Sequence, residues 1–359
     1  MKFGIYNEIQ ASPGADYKQR YDEVLRSVEL GDALGYDVFM TLEHHFFPTF
    51  SISVNPLAFF AAAAQRSKSI RFRAMCHTLP VHNPMVLAAE IAQCDHLTDG
   101  RLEVGVGRGH GWLYDPASVP MADSIGLYEE SLEILQRAWS SERFSFEGKH
   151  YNVHDVQVVP KPLQRNLKIF QTGTSARVFS DAGRRGGGVV VGAAPPPMFA
   201  EAVAAYTAAC KEAGQLPQVG AVIPVFLADD EETALREARE PMMRSYANLV
   251  VPQESINDEA VKDRLRGGGF HFYAGGFLNQ MKEYTFESVL ANDIAFAGTP
   301  RQFIAWLQRF RERYYDFQEL SLMADFGGQA EWQVARTLQL FARDVMPALR
   351  WSGPTRMTR

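Results

Sequence analysis

Residues 38–45 read VFMTLEHH, a mainly apolar run that ends in three ionisable side chains. Runs that are apolar at successive positions are typical of strands buried on both faces in a parallel sheet. Seven further runs of this kind occur along the chain, at residues 2–6, 70–75, 102–106, 167–171, 189–191, 220–227 and 319–323. Together with residues 38–42, they predict eight buried strands.

Between most of these runs, apolar residues recur at helical spacing. In residues 17–34, for example, Tyr21, Val24 and Val28 share one helical face. Similar patterns predict helices over 84–97, 124–139, 176–184, 197–213, 230–246, 300–313 and 329–345. The alternation predicts an α/β fold, a (β/α)8 TIM barrel. A doubly wound open sheet is the alternative, although residues 7–10 carry no glycine-rich dinucleotide-binding turn.

Two segments depart from the repeat. Residues 144–158 alternate apolar and polar side chains around Gly148, which predicts an inserted β-hairpin. Residues 248–296 contain glycine runs at 267–269 and 275–276, and they predict a long late insertion loop that acts as a lid. No change in composition marks a linker, so residues 1–359 are predicted to form a single domain.

Charge and composition exclude several classes of protein. The net charge of −6 gives no electrostatic reason to bind nucleic acid or an anionic membrane. Residues 1–10 lack the features of a secretory signal, and the apolar stretch 56–64 is too short to span a bilayer. Cys76, Cys94 and Cys210 form no CxxC pair, so the sequence predicts neither a zinc site nor disulfides. We expect a cytoplasmic protein without a metal.

The histidine pair after the second strand is the first candidate site. The C-terminal ends of barrel strands carry the active site, which places Glu43, His44 and His45 at the barrel mouth. Adjacent residues on a strand point to opposite sides, so one histidine can face a cavity while the other braces the loop. Imidazole suits proton transfer near neutral pH. A purely structural, hydrogen-bonded pair is the alternative.

Two further strand ends carry residues suited to an anion. Residues 105–111 read GVGRGHG, where glycines allow close approach of the backbone to a ring or phosphate and Arg108 can bind an anion. Thr174 and Ser175 follow the run 167–171 and open a helix whose N–H groups can bind phosphate. A tight turn and simple helix capping are the respective alternatives. Together, the two sites indicate a phosphorylated cofactor.

The chain resembles the bacterial luciferase-like monooxygenases over nearly its whole length. The resemblance rests on LEHHF at 42–46, LPVHNP at 79–84, DHLTDGRL at 95–102, GTP at 298–300 and DVMP at 344–347. It implies a TIM barrel and a two-component system, in which a separate flavin reductase uses NAD(P)H and supplies FMNH2. A flavin C4a-peroxide formed with O2 then oxygenates a small apolar substrate. An F420-dependent oxidoreductase of the same superfamily is the alternative, and a non-catalytic flavin-binding protein is a third hypothesis.

The resemblance also assigns roles to residues. His44 matches the catalytic histidine, and His45 is predicted to act beside it. Arg108, Thr174 and Ser175 match positions that bind the flavin phosphate. The predicted cofactor site is completed by Met75, Cys76, Gly109, His110 and Arg177, with a non-prolyl cis peptide between Met75 and Cys76.

Aromatic residues near these motifs are predicted to line the substrate pocket, namely Phe46, Phe47, Trp112 and Tyr114. The light-emitting enzymes have a cysteine where this chain has Gly107, and a glutamate where it has Thr174. Nothing in the sequence supports light emission. We expect a homodimer or a higher homo-oligomer.

Overall fold

A computed structural model describes residues 1–350. Its strands are β1 (Lys2–Tyr6), β2 (Val38–Thr41), β3 (Arg71–Ala74), β4 (His77–Thr78), β5 (Leu102–Gly107), β6 (Phe144–Glu147), β7 (Asn152–Val156), β8 (Ile169–Thr172), β9 (Gly188–Val191), β10 (Val219–Leu227), β11 (Phe296–Gly298) and β12 (Glu319–Met323).

The helices are α1 (Tyr17–Leu34), α2 (Pro56–Ala64), α3 (Pro84–Leu97), α4 (Ser124–Ser140), α5 (Ala176–Arg184), α6 (Pro197–Glu212), α7 (Glu231–Glu254), α8 (Glu259–Gly267), α9 (His271–Ala274), α10 (Phe286–Ala291), α11 (Pro300–Arg313), α12 (Glu331–Leu340) and α13 (Met346–Arg350). Short 3-10 helices lie at Leu79–Val81, Gly111–Leu113, Met121–Asp123 and Phe277–Glu283, and a π-helical turn lies at Phe341–Val345. Among these helices, none is long and apolar enough to cross a membrane.

Eight parallel strands of the described chain close into a barrel. Their order is β10, β12, β1, β2, β3, β5, β8 and β9, and β9 returns to β10 where Val189 pairs with Val219. The closure confirms the predicted TIM barrel and excludes the open sheet. The eight runs identified in the sequence are these eight strands. In this circle, β1 and β8 lie four positions apart and therefore on opposite sides of the barrel.

Local signals explain why the helices begin and end where they do. The Asp16 side chain accepts hydrogen bonds from the N–H groups of Lys18 and Gln19 and starts α1, and Gly35, at φ 81°, ends it. Asn83 caps α3 in the same way, and Pro84 occupies its first turn, where the missing N–H costs nothing. The predicted bounds of α1, α3, α5 and α11 agree with the structure.

The barrel interior contains a compensated charge cluster away from the mouth. The buried Arg73 guanidinium donates to Glu319 at 2.7 and 2.9 Å and to Glu103 at 2.9 Å. Arg71 also donates to Glu103, at 3.1 Å. A buried charge is costly without partners. Because these arginines and glutamates pair with one another, the barrel interior can contain them.

The early insertion is the predicted hairpin, in which β6 and β7 pair antiparallel with Phe146 opposite Val153. The late insertion differs from the predicted loop because it is largely helical. Helix α7 continues past the predicted end at residue 246 to Glu254, and α8, α9 and α10 follow before β11. Asp258 and Thr285 cap α8 and α10, and apolar side chains such as Leu265 are buried, which stabilises helices around the glycine runs.

Candidate active site

A cavity of about 680 Å³ lies at the C-terminal mouth of the barrel. Its walls come from the segments that follow β1, β2, β3, β5, β8 and β9, and from the late insertion. Pockets for cofactors and small molecules are usually about 300–1,000 Å³ in volume. The cavity therefore has the position and the size expected of a TIM-barrel active site.

The glycine run after β5 permits close packing at this mouth. A Cβ atom added at Gly107 would lie 2.8 Å from both Cys76 Sγ and Thr172 Oγ1. At Gly109, φ is +69°, and an added Cβ would lie 2.5 Å from the Thr78 side chain. Both positions therefore require glycine, one for space and one also for backbone conformation.

Arg108 is a half-buried cation on the cavity wall. Its Nη1 donates to Gly268 O at 2.8 Å and to Ser124 Oγ at 3.1 Å, and its Nη2 donates to Gly269 O at 3.2 Å. No carboxylate within residues 1–350 forms an ion pair with it, and burial lowers the pKa of Arg108. Its Nε–H and one Nη2–H, which lie on the same edge of the guanidinium, remain for an anion.

The start of α5 lies on the same wall. Ser175 caps this helix by accepting a hydrogen bond from Val178 N–H at 3.5 Å, and Thr174 and Ser175 are exposed. Arg177 also lines the cavity, but it donates to Glu129 at 2.8 Å, so its charge is already compensated. A helix N-terminus beside an uncompensated arginine is suited to a phosphate group.

His44 lies behind the cavity wall rather than on it. It is fully buried and stacks on Phe50 with ring centroids 4.2 Å apart. Its Nε2 accepts a hydrogen bond of 2.9 Å from Trp112 Nε1–H, so the proton of the neutral ring is on Nδ1. Burial, reinforced by nearby histidines, lowers the pKa of His44 well below its ordinary value. Nδ1 has no hydrogen-bond partner among residues 1–350.

His110 and Trp112 form the wall in front of His44. Their rings stack 4.5 Å apart at an angle of 8°. Burial lowers the pKa of His110 to about 4, so this imidazole is also neutral. Its Nδ1 is buried without a hydrogen-bond partner in the described part of the chain. A polar group of a bound ligand would supply that partner.

Glu43 is the centre of a histidine cluster. His82 Nε2 lies 2.8 Å and His45 Nε2 2.9 Å from its carboxylate, and His77 Nδ1 lies at 3.6 Å. Burial alone would raise the pKa of Glu43, but hydrogen bonds from the histidines hold it well below its ordinary value. Neither this cluster nor any other in residues 1–350 is arranged to hold a metal ion.

Most of the predicted cofactor residues meet on the cavity wall: Met75, Cys76, Arg108, Gly109, His110, Thr174, Ser175 and Arg177. Of the predicted substrate residues, Trp112 also lines the cavity. His44, His45, Phe46, Phe47 and Tyr114 do not. Phe46 is 56% exposed at φ 73°, because the chain turns outward after the histidines. Tyr114 is buried and donates to Arg108 O at 2.6 Å, so it supports the arginine from behind.

The predicted cis peptide between Met75 and Cys76 is absent. In residues 1–350 the cis bond is the one before Pro160. Met75 N–H donates to Thr41 O at 2.7 Å, and Cys76 O accepts from Glu43 N–H at 3.3 Å. The trans chain thus keeps its hydrogen bonds to the segment around β2 without the cost of a non-prolyl cis bond.

Glu8 is a cavity residue that the sequence reasoning missed. It follows β1, is 7% exposed, and accepts hydrogen bonds from Gln10 Nε2 at 2.7 Å and from Tyr6 OH at 3.4 Å. Burial raises the pKa of Glu8 to about 7. Its place after a barrel strand, like that of Glu43, is the signal that would have indicated it.

Comparisons with known proteins agree with this architecture. Monooxygenase RslO1 from Streptomyces bottropensis superposes with a TM-score of 0.79 at 27% identity, covering 97% of this chain and all of that one. The FMN-containing oxygenating constituent of 3,6-diketocamphane monooxygenase from Pseudomonas putida has a TM-score of 0.78 at 23% identity, covering 97% and 98%. An F420-dependent secondary alcohol dehydrogenase shares the fold at 16% identity, with a TM-score of 0.73.

Sequence relatives match over part of their length. The 2,5-diketocamphane 1,2-monooxygenase 1 of Pseudomonas putida is 32% identical over 155 residues, 42% of each chain. The oxygenase component of the flavin-dependent trigonelline monooxygenase of Acinetobacter baylyi is 27% identical over 169 residues, 46% of each chain. The chain thus spans less than half the length of these two relatives. Residues 1–316 match the sequence profile of the luciferase-like monooxygenases, and the chain belongs to that family.

Proposed function

We propose that this chain is the oxygenase component of a two-component monooxygenase that uses FMNH2 and O2 to oxygenate a small apolar substrate. A separate flavin reductase supplies the reduced flavin. The observation that carries the proposal is Arg108, a half-buried arginine with no carboxylate partner in residues 1–350, on the same cavity wall as the start of α5.

The residues of the anchor fit the phosphate of FMN. Arg108 offers two parallel N–H groups, which suit bidentate binding of a phosphate. The first turn of α5 adds backbone N–H groups and a favourable dipole. When bound, FMNH2 supplies the chemistry that activates O2. The glycines at 107 and 109 keep the adjacent wall free of side chains, so a flat ring can approach the backbone there.

His44 is proposed to act through its neighbours. Because its ring is neutral and accepts the Trp112 N–H, it fixes the indole that forms the wall. We assign His44 as a positioning residue, with His45 bracing the Glu43 carboxylate beside it. Both roles keep the cavity wall rigid, which favours a defined geometry of cofactor and substrate.

The late insertion is proposed to form a lid. Phe270, Tyr273 and Met281 line the cavity from this segment, and Arg108 tethers it through Gly268 and Gly269. The guanidinium also lies 4.2 Å from the centre of the Phe270 ring, a favourable cation–π contact. Exclusion of water by this roof would protect a reactive oxygenating species from wasteful decay.

A comparison of FMN with riboflavin tests the phosphate anchor, because the two differ only in the phosphate. We expect the protein to bind FMN more tightly than riboflavin in anaerobic titrations of the reduced flavins. Arg108→Gln should weaken FMN binding roughly 10- to 100-fold, the value of a charge-assisted hydrogen bond or two, and leave riboflavin unchanged. Arg177→Gln is the matched control, since its charge is already paired with Glu129.

Admission of oxygen tests the reaction. After anaerobic loading with FMNH2, we expect oxygen consumption coupled to oxygenated product when apolar substrates are screened with a generic flavin reductase. Tight binding of F420, combined with no reaction of the bound FMNH2 with oxygen, would overturn the proposal in favour of a hydride-transfer oxidoreductase.

A further inference from the structure

Glu8 and the start of α5, one part of the phosphate anchor, occupy opposite walls of the cavity. Glu8 follows β1, whereas Thr174 and Ser175 follow β8, and these strands lie across the barrel from each other. A cofactor held by its phosphate at the β8 wall leaves the β1 wall for a second molecule. Phe50, Leu249 and Phe277 make the remainder of the cavity largely apolar.

The surroundings of Glu8 leave its carboxyl without a compensating cation. Gln10 Nε2 donates to Oε2 at 2.7 Å and also to Ser245 Oγ of α7 at 3.2 Å. The titratable groups that face it are the phenols of Tyr6 on β1 and Tyr246 on α7, and burial raises the pKa of both. No lysine, arginine or histidine in residues 1–350 forms an ion pair with Glu8.

Arg20 contacts Gln10 but does not compensate the charge of Glu8. Arg20 donates to the Gln10 carbonyl at 2.8 Å, but its charge is paired with Asp325 at 2.7 Å. The cavity therefore has two buried carboxyls in contrasting surroundings. Glu43 is surrounded by histidines and is ionised at neutral pH, whereas burial raises the pKa of Glu8 to about 7. Such pairs allow one carboxyl to act as a charge and the other as a hydrogen-bond donor.

We infer that the protonated Glu8 carboxyl donates a hydrogen bond to the oxygen of an uncharged, apolar carbonyl compound bound against the β1 wall. The inference rests on the proposed function and names the substrate class of the same site. A neutral donor in an apolar wall selects a ketone over a hydrocarbon of the same size, because only the ketone accepts the bond. It also disfavours carboxylate ligands, because their charge would be buried beside a wall where Glu8 has no cation partner among residues 1–350.

The pH dependence of ketone binding tests this role. The probes are cyclohexanone, cyclooctanone, the matching cycloalkanes and the matching cycloalkane carboxylates, titrated into the FMN-loaded protein by calorimetry. We expect wild type to prefer the ketones at pH 6 and to lose up to about 30-fold in ketone affinity by pH 8.5, as Glu8 loses its proton. Equal binding of ketones and cycloalkanes by wild type at pH 6 would overturn the inference.

Glu8→Gln separates this role from a structural one. The amide keeps an N–H donor of similar shape that does not titrate, so ketone affinity should become independent of pH between 6 and 8.5. Glu8→Ala should bind ketones weakly at both pH values. Glu240→Gln, an exposed position on α7, controls for the loss of a carboxylate. A Glu8→Gln variant that keeps the wild-type pH dependence refutes the inference.

The FMN and riboflavin titrations of the same variants make the two failures distinguishable. If the phosphate anchor is absent, every variant binds FMN and riboflavin with equal affinity, whatever its affinity for ketones. If only the assignment of Glu8 fails, the protein still prefers FMN to riboflavin. Its affinity for ketones then depends neither on pH nor on the substitutions at Glu8.

Discussion

Trp112 donates its indole N–H to Nε2 of His44 over 2.9 Å, which leaves the histidine proton on a buried Nδ1. We propose that the histidine acts on the cavity through the tryptophan. A protonated ring is incompatible with this bond, because its Nε2 could no longer accept. This hydrogen bond is what we expect of a histidine that holds the wall in place. A histidine that exchanges protons with solvent would need an accessible ring nitrogen.

Removal of His44 should uncouple oxygen consumption from product formation. In His44→Ala, the anchor at Arg108 is untouched, so affinity for reduced flavin should stay within about 3-fold of wild type, while product per O2 falls by about 10-fold or more. Oxygen uptake and product are measured in the same reaction. His96→Ala is the control, because His96 is exposed and its Nε2 lies 2.9 Å from the Lys161 carbonyl oxygen. An unchanged product yield in His44→Ala contradicts the role.

The Glu43–His82 contact should stabilise the fold most in mildly acidic solution. Burial lowers the pKa of His82, but the Glu43 carboxylate raises it above its ordinary value, so this stabilisation is lost as pH rises through the folded-state value. The pKa of Glu43 is depressed, so its share is lost as pH falls far below about 4.5. His82→Gln should cost about 1–3 kcal/mol at pH 6 and less at pH 9. Thermal unfolding at both pH values checks this, and an equal cost at both contradicts it.

Ionisation of the buried Glu8 carboxyl should also make the fold less stable as pH rises. Its pKa is raised by burial to about 7, so the folded state holds a proton that the unfolded chain releases near pH 4.5. Stability is therefore lost as pH rises from about 4.5 through 7, by an amount on the order of 3 kcal/mol. Denaturant unfolding should show Glu8→Gln gaining on wild type between pH 5 and pH 8. A constant difference between the two proteins would disprove the raised pKa.

Gly107 should tolerate no side chain. In Gly107→Ala the new Cβ would meet Cys76 Sγ and Thr172 Oγ1 at 2.8 Å, so we expect a loss of about 1–3 kcal/mol in the free energy of unfolding. Gly267→Ala is the control, because an added Cβ there meets nothing within 4 Å. Adding Cys76→Ala to Gly107→Ala should restore part of the lost stability. Equal stabilities of Gly107→Ala and Gly267→Ala would contradict the packing argument.

The late insertion should resist trypsin when FMN is bound. Lys262, Arg264 and Arg266 on α8 precede the tethered glycines, so ligand binding at Arg108 should slow cleavage there by several-fold. Lys149 in the early hairpin serves as an internal reference for general protease activity. Cleavage of α8 at the same rate with and without FMN argues against a lid.

The barrel could be predicted from the sequence because each strand is a short apolar run with a helix after it. Helix α2 (PLAFFAAAA) was not predicted, since a helix that is apolar on nearly all sides has no helical periodicity to detect. The glycine runs at 267–269 and 275–276 led to the prediction of a loop in the late insertion. Those glycines lie at helix ends, where buried neighbours stabilise the short helices between them.

The meeting of Arg108 and the start of α5 at one rim could also be predicted, because the C-terminal ends of barrel strands lie together whatever the detailed packing. The rest of the cavity wall could not be predicted. Whether Phe46 turns outward or Glu8 turns inward depends on single backbone angles and on side chains from distant segments. Burial then shifts the pKa of each carboxyl. No local sequence pattern shows that histidines surround Glu43 but not Glu8.

The closed circle of eight strands has a consequence for how such an enzyme can diversify. Half the circumference separates the start of α5 from the β1 wall, and three strand positions separate Arg108 from it, so substitutions at the β1 wall should need no compensating change at the anchor. Substitutions confined to Tyr6, Glu8, Phe50 and Leu249 should therefore change the range of substrates. The affinity for the cofactor should stay the same. The barrel would thus keep one cofactor-binding wall constant while the β1 wall varies between enzymes.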